Sequence, residues 1–491
     1  MNILLVYPEY PDTYWSFSYA LKFISKKAAY PPLGLITVSA LLPATWTKKL
    51  IDLNIELLQD KDLLWADFVM ISAMSVQTTS ANEIIARCKK LHRKIIAGGP
   101  LFTAEYESYQ HVDHLVLNEA EITLQPFLDD LENGEPGRIY RSEEFADVTK
   151  TPIPDYSLLK HQQYASLSIQ YTRGCPFNCD FCDITVLFGQ KVRAKTTAQI
   201  IGEMDSLFSL GFSGSLFFVD DNFIGNRRTL KKELLPAIIA WMEDHDNPFH
   251  FVTEASVNLA DDEELMSMMV KAGFTKVFVG IETPDEVSLA ECSKTQNNNR
   301  NLIEAIQKIQ SFGMEVSAGF IVGFDSDAPT IFQRQIDFIQ KSGIISAMVG
   351  LLNAPKKTRL YERLHREGRI ISDFSGDNTN FALNFIPKMK KEDLLEGYRK
   401  ILLGIYSCKP YFERVRKFLE EFEPRVQKQT KVDAQKIKAL LRSIVILGVL
   451  DNGRIYYWRL FFWSLFRKRR VFSLAITYAV FGFHYRKVFI E

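Results

Sequence analysis

Residues Tyr171–Ile184 read YTRGCPFNCDFCDI and place three of the chain's six cysteines, Cys175, Cys179 and Cys182, in one short loop. The apolar run Ser166–Tyr171 reads as a strand, so the thiols lie just past a strand end. A disulfide would leave one thiol over. A closed structural zinc site takes four protein ligands, and no nearby cysteine or histidine supplies the fourth. Iron–sulfur clusters are held by cysteine thiolates. Three thiolates on a cubane leave one iron open to a ligand from outside the protein. Cys88, Cys292 and Cys408 are scattered and read as packing residues.

The surrounding chain sets the context. With 491 residues, 47% apolar and 24% charged, it is long enough for two or three domains with substantial cores. The net charge of zero gives nothing global that points to nucleic acid. The opening MNILLVYPEY lacks a basic n-region and a cleavage site, so it reads as a buried strand, Ile3–Tyr7, rather than a signal peptide. The expected compartment is the cytoplasm, where clustered cysteines more often bind metal or act in redox chemistry than pair.

The chain reads as an α/β protein with three regions. In residues 1–145, apolar runs at Ile3–Tyr7, Phe68–Ala73, Lys94–Ala97 and His114–Leu117 alternate with helical patterns at Leu33–Leu42 and Thr79–Leu91. That alternation predicts a doubly wound, Rossmann-like parallel sheet with ligands at the carboxyl ends of its strands. A linker over 146–165, containing DVTKTPIPDYSLL, breaks any helix with its prolines. Residues 166–370 hold a second series of strands at Ser166–Tyr171, Gly214–Val219, His250–Glu254, Lys276–Gly280, Glu315–Val322 and Ala347–Leu352. Six strands separated by helices suggest a partial TIM barrel of (β/α)6 type, its chemistry at the strands' C-terminal ends. Residues 371–491 read as mostly helical. The uncharged stretch Val471–Tyr485 falls short of the roughly 20 residues a spanning helix needs. Two readings of this tail stay open: core helices with a basic loop at Arg467–Arg470, or a hydrophobic, cation-flanked surface for a lipid interface.

Cys-x3-Cys-x2-Cys after the first strand of a partial barrel resembles the signature of radical S-adenosylmethionine (SAM) enzymes. The resemblance implies a 4Fe-4S cluster on Cys175, Cys179 and Cys182, with SAM on the open iron. Cleavage of SAM then gives a 5′-deoxyadenosyl radical. Phe181 matches the family's adenine-contacting aromatic. Further strand ends match as well: FFVDDNF with Asp220, Asp221 and Asn222, VTEASVN with Glu254 and Ser256, VGIET with Glu282, and GFIVGF with Gly319 and Gly323. These imply a SAM site in which polar residues bind amine or hydroxyls and glycine lets backbone approach adenine.

No Gly-x-Gly-x-x-Gly follows the first strand, which argues against a dinucleotide. The first region instead resembles the cobalamin-binding domain that precedes the barrel in one subgroup of the family. The matching pieces are YPPLGLITVSALL (Tyr30, Pro32, Leu33 and Gly34), ISAMSVQTT (Met74, Ser75, Val76 and Gln77), AGGPLFT (Gly98, Gly99 and Thr103) and VLNEAE (Glu119). Asp-x-His-x-x-Gly, whose histidine ligates cobalt in many cobalamin proteins, is missing; Asp113 and His114 are adjacent instead. DNTNFALNFIPKM (Asp377–Met389) and the aromatic tail resemble the C-terminal region of the subgroup that contains hopanoid A-ring methylases.

Together these resemblances imply a cobalamin-dependent radical SAM C-methyltransferase. It would pass a methyl group from methylcobalamin to an unactivated carbon of a hydrophobic, lipid-like small molecule. The alternative keeps the cofactors but catalyses a cyclisation, ring contraction or oxidative rearrangement. The implied partners are that substrate and an electron donor such as flavodoxin or ferredoxin, with no nucleic acid. A peripheral contact of the C-terminal region with the inner face of the membrane is a further expectation.

Overall fold

The computed structural model describes residues 1–377, 379–424 and 434–490. Position 378, in the stretch Asp377–Met389, therefore lies outside the described residues, as do 425–433 and 491.

The first region is a six-stranded parallel sheet of β1 (Asn2–Tyr7), β2 (Thr47–Asp52), β3 (Phe68–Ser72), β4 (Lys94–Gly98), β5 (His114–Val116) and β6 (Ile139–Tyr140), in the order β2-β1-β3-β4-β5-β6. Ile3–Val6 are fully buried, as central strands with both faces covered require. The order reverses between β1 and β3, and that switch point opens a crevice at the carboxyl ends of the strands. Sequence periodicity missed β2. It begins Thr47-Lys48-Lys49 and lies at the sheet's edge, where lysines discourage pairing with another chain. His114 is buried between Phe68 and Phe127, and its Nδ1 lies 2.7 Å from the Gly137 carbonyl oxygen, so it faces the core and not the crevice.

Residues 146–165 form a strap of short 3₁₀ turns rather than a free tether. Tyr156 donates to the Ser168 carbonyl at 3.0 Å, and Tyr164 donates to Asp52 at 2.8 Å, so the strap ties the first sheet to the second.

The second sheet begins with β7 (Ser166–Ile169). A short antiparallel ribbon follows, β8 (Thr172–Arg173) with β9 (Arg193–Ala194). Then come β10 (Gly214–Phe218), β11 (Phe249–Glu254), β12 (Phe274–Glu282), β13 (Glu315–Val322) and β14 (Ala347–Leu351). The order β14-β13-β12-β11-β10-β7 follows the sequence, and every pairing is parallel, as a half-barrel built of strand–helix units requires. Alternate residues such as Phe217, Val252, Phe278 and Ser317 line a cavity on the concave face.

Tail helices close the concave side. In the last helix, Phe472–Phe489, Ile476, Val480 and Phe481 line the same cavity. Tyr485 stacks on Tyr14 with ring centroids 4.9 Å apart, and Tyr406 donates to the Ala347 carbonyl at 2.6 Å. Among the described residues, no helix is long and apolar enough to cross a membrane.

Candidate active site

The ribbon β8–β9 pinches the two ends of the cysteine loop together. Gly174 turns the chain with φ of 87°, and a Cβ there would meet the carbonyl oxygens of Lys191, Gly189 and Phe188 at 2.8–3.0 Å, so only glycine fits. The loop is anchored from several sides. Asp180 donates its amide to the Cys292 carbonyl at 3.0 Å, and its own carbonyl accepts from Leu360 at 2.9 Å. Phe181 packs edge-on against Phe324, with centroids 6.4 Å apart. Burial raises the thiol pKa values of Cys175, Cys179 and Cys182, while the Lys294 ammonium acts on all three in the opposite direction.

Lys294 carries no sequence motif and was not anticipated. Its Nζ lies 2.7 Å from Glu282 Oε1. Burial disfavours its charge, but Glu282 and Cys179 more than offset that, so its pKa is raised. Gly280 leaves the space this ion pair occupies. Gln296 on the same loop reaches Cys179 Sγ at 3.9 Å.

The acidic candidates divide by what they touch. Asp220 accepts from the Tyr171 amide at 3.2 Å and from the amide and hydroxyl of Thr172, which fastens β10 to the start of the cysteine loop. Asn222 accepts from the Ser256 amide at 3.1 Å, and Ser256 donates to Asn258 at 2.7 Å. Asp221 accepts from the Gly174 amide at 3.0 Å. Glu254 has no hydrogen bond to its carboxylate among the described residues. Its pKa is pushed up to about 8, by burial first and then by Asp221 and Asp220. Burial likewise lifts Asp220 to about 7 and Asp221 to about 6. Gly319 lies beneath the Phe278 ring, 3.2 Å from where its Cβ would be, and Gly323 turns the chain after β13 with φ of 108°.

Beside this site, a cavity of about 400 Å³ fills the crevice of the first sheet. Pro32, Leu33, Gly34, Met74, Gly98 and Gly99 line it from one side; Gln170, Arg173 and Phe188 line it from the barrel side. Gly98 and Gly99 let the strands at its floor pack closely. A Cβ on Gly98 would lie 2.5 Å from the Val116 oxygen, and one on Gly99 (φ 89°) would lie 2.6 Å from Ser72 Oγ. Other candidates lie elsewhere. Gln77 is buried and donates to the Pro8 carbonyl at 2.6 Å. Ser75 and Thr103 line a smaller neighbouring cavity. Val76 and Tyr30 line a third, and Tyr30 stands 5.1 Å from the Phe217 ring. Glu119, by contrast, lines the crevice cavity itself and joins a buried charge network: Arg173 reaches Glu119 at 3.0 Å and Glu121 at 2.7 Å, and Arg193 reaches Glu119 at 2.8 Å.

Comparison with known proteins accounts for these features together. The profile of B12 binding domains matches residues 24–128, that of the radical SAM superfamily matches 169–352, and that of a domain of unknown function matches 358–491. An uncharacterised methyltransferase of Synechocystis sp. is 41% identical over 99% of this chain and 91% of its own length. The hopanoid C-2 methylase of Rhodopseudomonas palustris is 32% identical over 93% of this chain and 88% of its own. The chain belongs to the cobalamin-dependent radical SAM methyltransferase family. Its fold is also that of the cobalamin-dependent SAM radical enzyme OxsB, with a TM-score of 0.63 and 14% identity over 99% of this chain and 80% of that one.

The residues fit the cofactors that this family uses. Among the described residues, no three His, Cys, Asp or Glu side chains converge on a point that would hold a single metal ion. A 4Fe-4S cluster would take its thiolates from Cys175, Cys179 and Cys182, three free thiols on one loop. At Gly34 a Cβ would enter the open crevice, room that a flat macrocycle would use, and the barrel rim carries an unbonded carboxylate, Glu254, suited to a cationic ligand.

The carboxylates make stability depend on pH. Their pKa values are raised in the folded state, so the unfolded chain loses its protons first, and stability is fullest below the unfolded carboxylate range. It is lost as pH rises to about 8. Urea midpoints of the ligand-free protein are expected to fall across this window. Glu254→Gln flattens the upper part of the slope.

Proposed function

We propose that the protein transfers a methyl group to an sp³ carbon of a large apolar substrate. The observation that carries this reading is a run of cavities with shared walls. Tyr7 and Met74 line both the crevice cavity and a second cavity of about 420 Å³. Trp15, Ala29 and Tyr30 line both that second cavity and the apolar chamber of about 400 Å³ inside the half-barrel. A substrate seated in the chamber would thus have a walled path toward the crevice.

In this reading Cys175, Cys179 and Cys182 hold the cluster. Asp221 and Glu254 receive the amine and hydroxyls of SAM, while Phe181, Gly319 and Gly323 bound its adenine. Pro32, Leu33, Gly34, Met74, Gly98 and Gly99 cradle cobalamin. When bound, the cluster with SAM supplies hydrogen-abstracting radical chemistry, and cobalamin supplies the methyl carrier. The chain's own residues position and enclose these groups. Glu254 meets a cationic ligand better once ionised, and that ligand offsets the burial which raises its pKa. Lys294, paired with Glu282, places positive charge beside thiols that must lose their protons to bind iron. Trp15, Phe217 and Phe278 wall the chamber with apolar surface and keep water from the reacting carbon.

Comparing the extractable lipids of a strain lacking the protein with those of wild type tests the reading. The expected result is loss of a product and accumulation of a precursor lighter by one CH2 unit. A lost product that is an isomer or dehydrogenated form of its precursor contradicts methyl transfer.

A further inference from the structure

The helical tail carries apolar surface that no part of the described chain covers. Ile437, Leu441 and Val445 follow one another at four-residue spacing along the helix Ala434–Val445, and all three are exposed. The stripe continues through Leu450, which is 70% exposed. In the next helix, Arg454–Arg467, Phe462 is 50% and Phe466 68% exposed, and their rings stack with centroids 6.2 Å apart. The helices pack on each other through inner residues: Ser443 meets Tyr457 at 2.9 Å, and Trp458 donates to the Gly448 carbonyl at 2.9 Å. The apolar outer residues are therefore not needed to hold the pair together. Scattered exposed apolar residues are ordinary, but continuous stripes on adjacent helices mark an interaction surface.

The charge pattern says what covers it. Between Ala434 and Ile490 there are eleven Lys and Arg residues against a single acid, Asp451, and that acid is already paired with Arg486 at 2.6 Å. Arg467, Arg469 and Arg470 stand exposed beside Phe466. Apolar and aromatic side chains rimmed by cations suit an anionic bilayer surface, with rings entering the acyl boundary and guanidinium groups among the phosphates. A protein partner would need a matching apolar face ringed by acids. A second copy of this face would not supply them, since Asp451 is the single acid between Ala434 and Ile490.

The same helices also border the chamber. Ala439 lies on the stripe-bearing helix and lines the chamber, as do Ile476 and Thr477 of the last helix. Ile24 lines it too and is 41% exposed, so it stands at the rim. Arg442 pins that rim by donating to the Lys22 carbonyl and to Ser25 Oγ, each at 2.7 Å.

We infer that the helices spanning Ala434–Arg467 form a monotopic docking face for an anionic lipid bilayer, placing the chamber rim at Ile24 where an apolar substrate can pass from the bilayer without crossing water. The route for substrate rests on the proposed function; the docking does not. Flotation of the cobalamin-loaded full chain on phosphatidylcholine vesicles, with and without phosphatidylglycerol, tests it without requiring turnover. The wild type is expected to float with the mixed vesicles and to be released by salt. Phe462→Ser with Phe466→Ser lowers partitioning about tenfold or more, because two rings no longer leave water. Replacing Arg467, Arg469 and Arg470 with Gln removes the dependence on phosphatidylglycerol and gives a second readout in a chain whose apolar face is intact. Absence of wild-type flotation on either vesicle overturns the inference, as does undiminished flotation of the Phe variants. So does light scattering that shows the Phe changes merely turning a dimer into monomers. If flotation behaves as expected while no methyl transfer is found, the proposed function fails and the docking face stands.

Discussion

Replacing Cys175, Cys179 or Cys182 with Ala is expected to reduce SAM cleavage by the anaerobically reduced protein to background. The thiols lie on a loop closed by the β8–β9 ribbon and fixed by Gly174, so the two that remain keep their places when the third is lost. Cys292 is the informative comparison. It is buried next to the loop, and its carbonyl accepts the Asp180 amide at 3.0 Å. That contact belongs to the backbone and survives Cys292→Ala, so this change costs only packing, about 1 kcal/mol. Iron and sulfide content, visible absorbance and 5′-deoxyadenosine yield should therefore separate the four variants three to one. Retention of a full cluster in any of the first three would refute the ligand assignment.

The second large effect concerns the joint between the two sheets. Arg173 is the central cation of a buried network, with Glu119 at 3.0 Å and Glu121 at 2.7 Å. Arg173→Met leaves Glu121 buried without its cation, while Glu119 keeps Arg193, and costs about 3–5 kcal/mol. Arg193→Met costs less, because Glu119 keeps Arg173. Combining Arg173→Met with Glu121→Gln recovers much of the loss, since the penalty comes from uncompensated charge rather than from missing attraction. Urea unfolding of the variants measures this. Arg173 also walls the crevice cavity, so the single variant should release cobalamin more readily than the double one.

What could be read from the sequence follows physical range. The thiol loop and the strands leading to it were legible because ligand spacing and hydrophobic runs are local. The central strands were legible for the same reason, whereas β2 escaped because an edge strand with lysines on it lacks an apolar run. Asp220 and Asn222 stand where strand-end polar residues bind ligands, yet their oxygens are taken up by Thr172 and Ser256; position alone does not say which acceptors remain free. Lys294 and the Glu119–Arg173 pair lie far along the chain from what they touch, so only the fold brings them together. In the tail, the core-helix reading holds only in part. Phe472–Phe489 packs inward against Tyr14, while Phe462 and Phe466 turn outward.

The most direct measurement is transfer of label from SAM carrying a deuterated methyl group. The cobalamin-loaded, reduced protein would be incubated anaerobically with lipid extract from the strain lacking it. The expected result is a product that retains the methyl deuterium, formed alongside 5′-deoxyadenosine. Formation of 5′-deoxyadenosine with no deuterium in any product would contradict it.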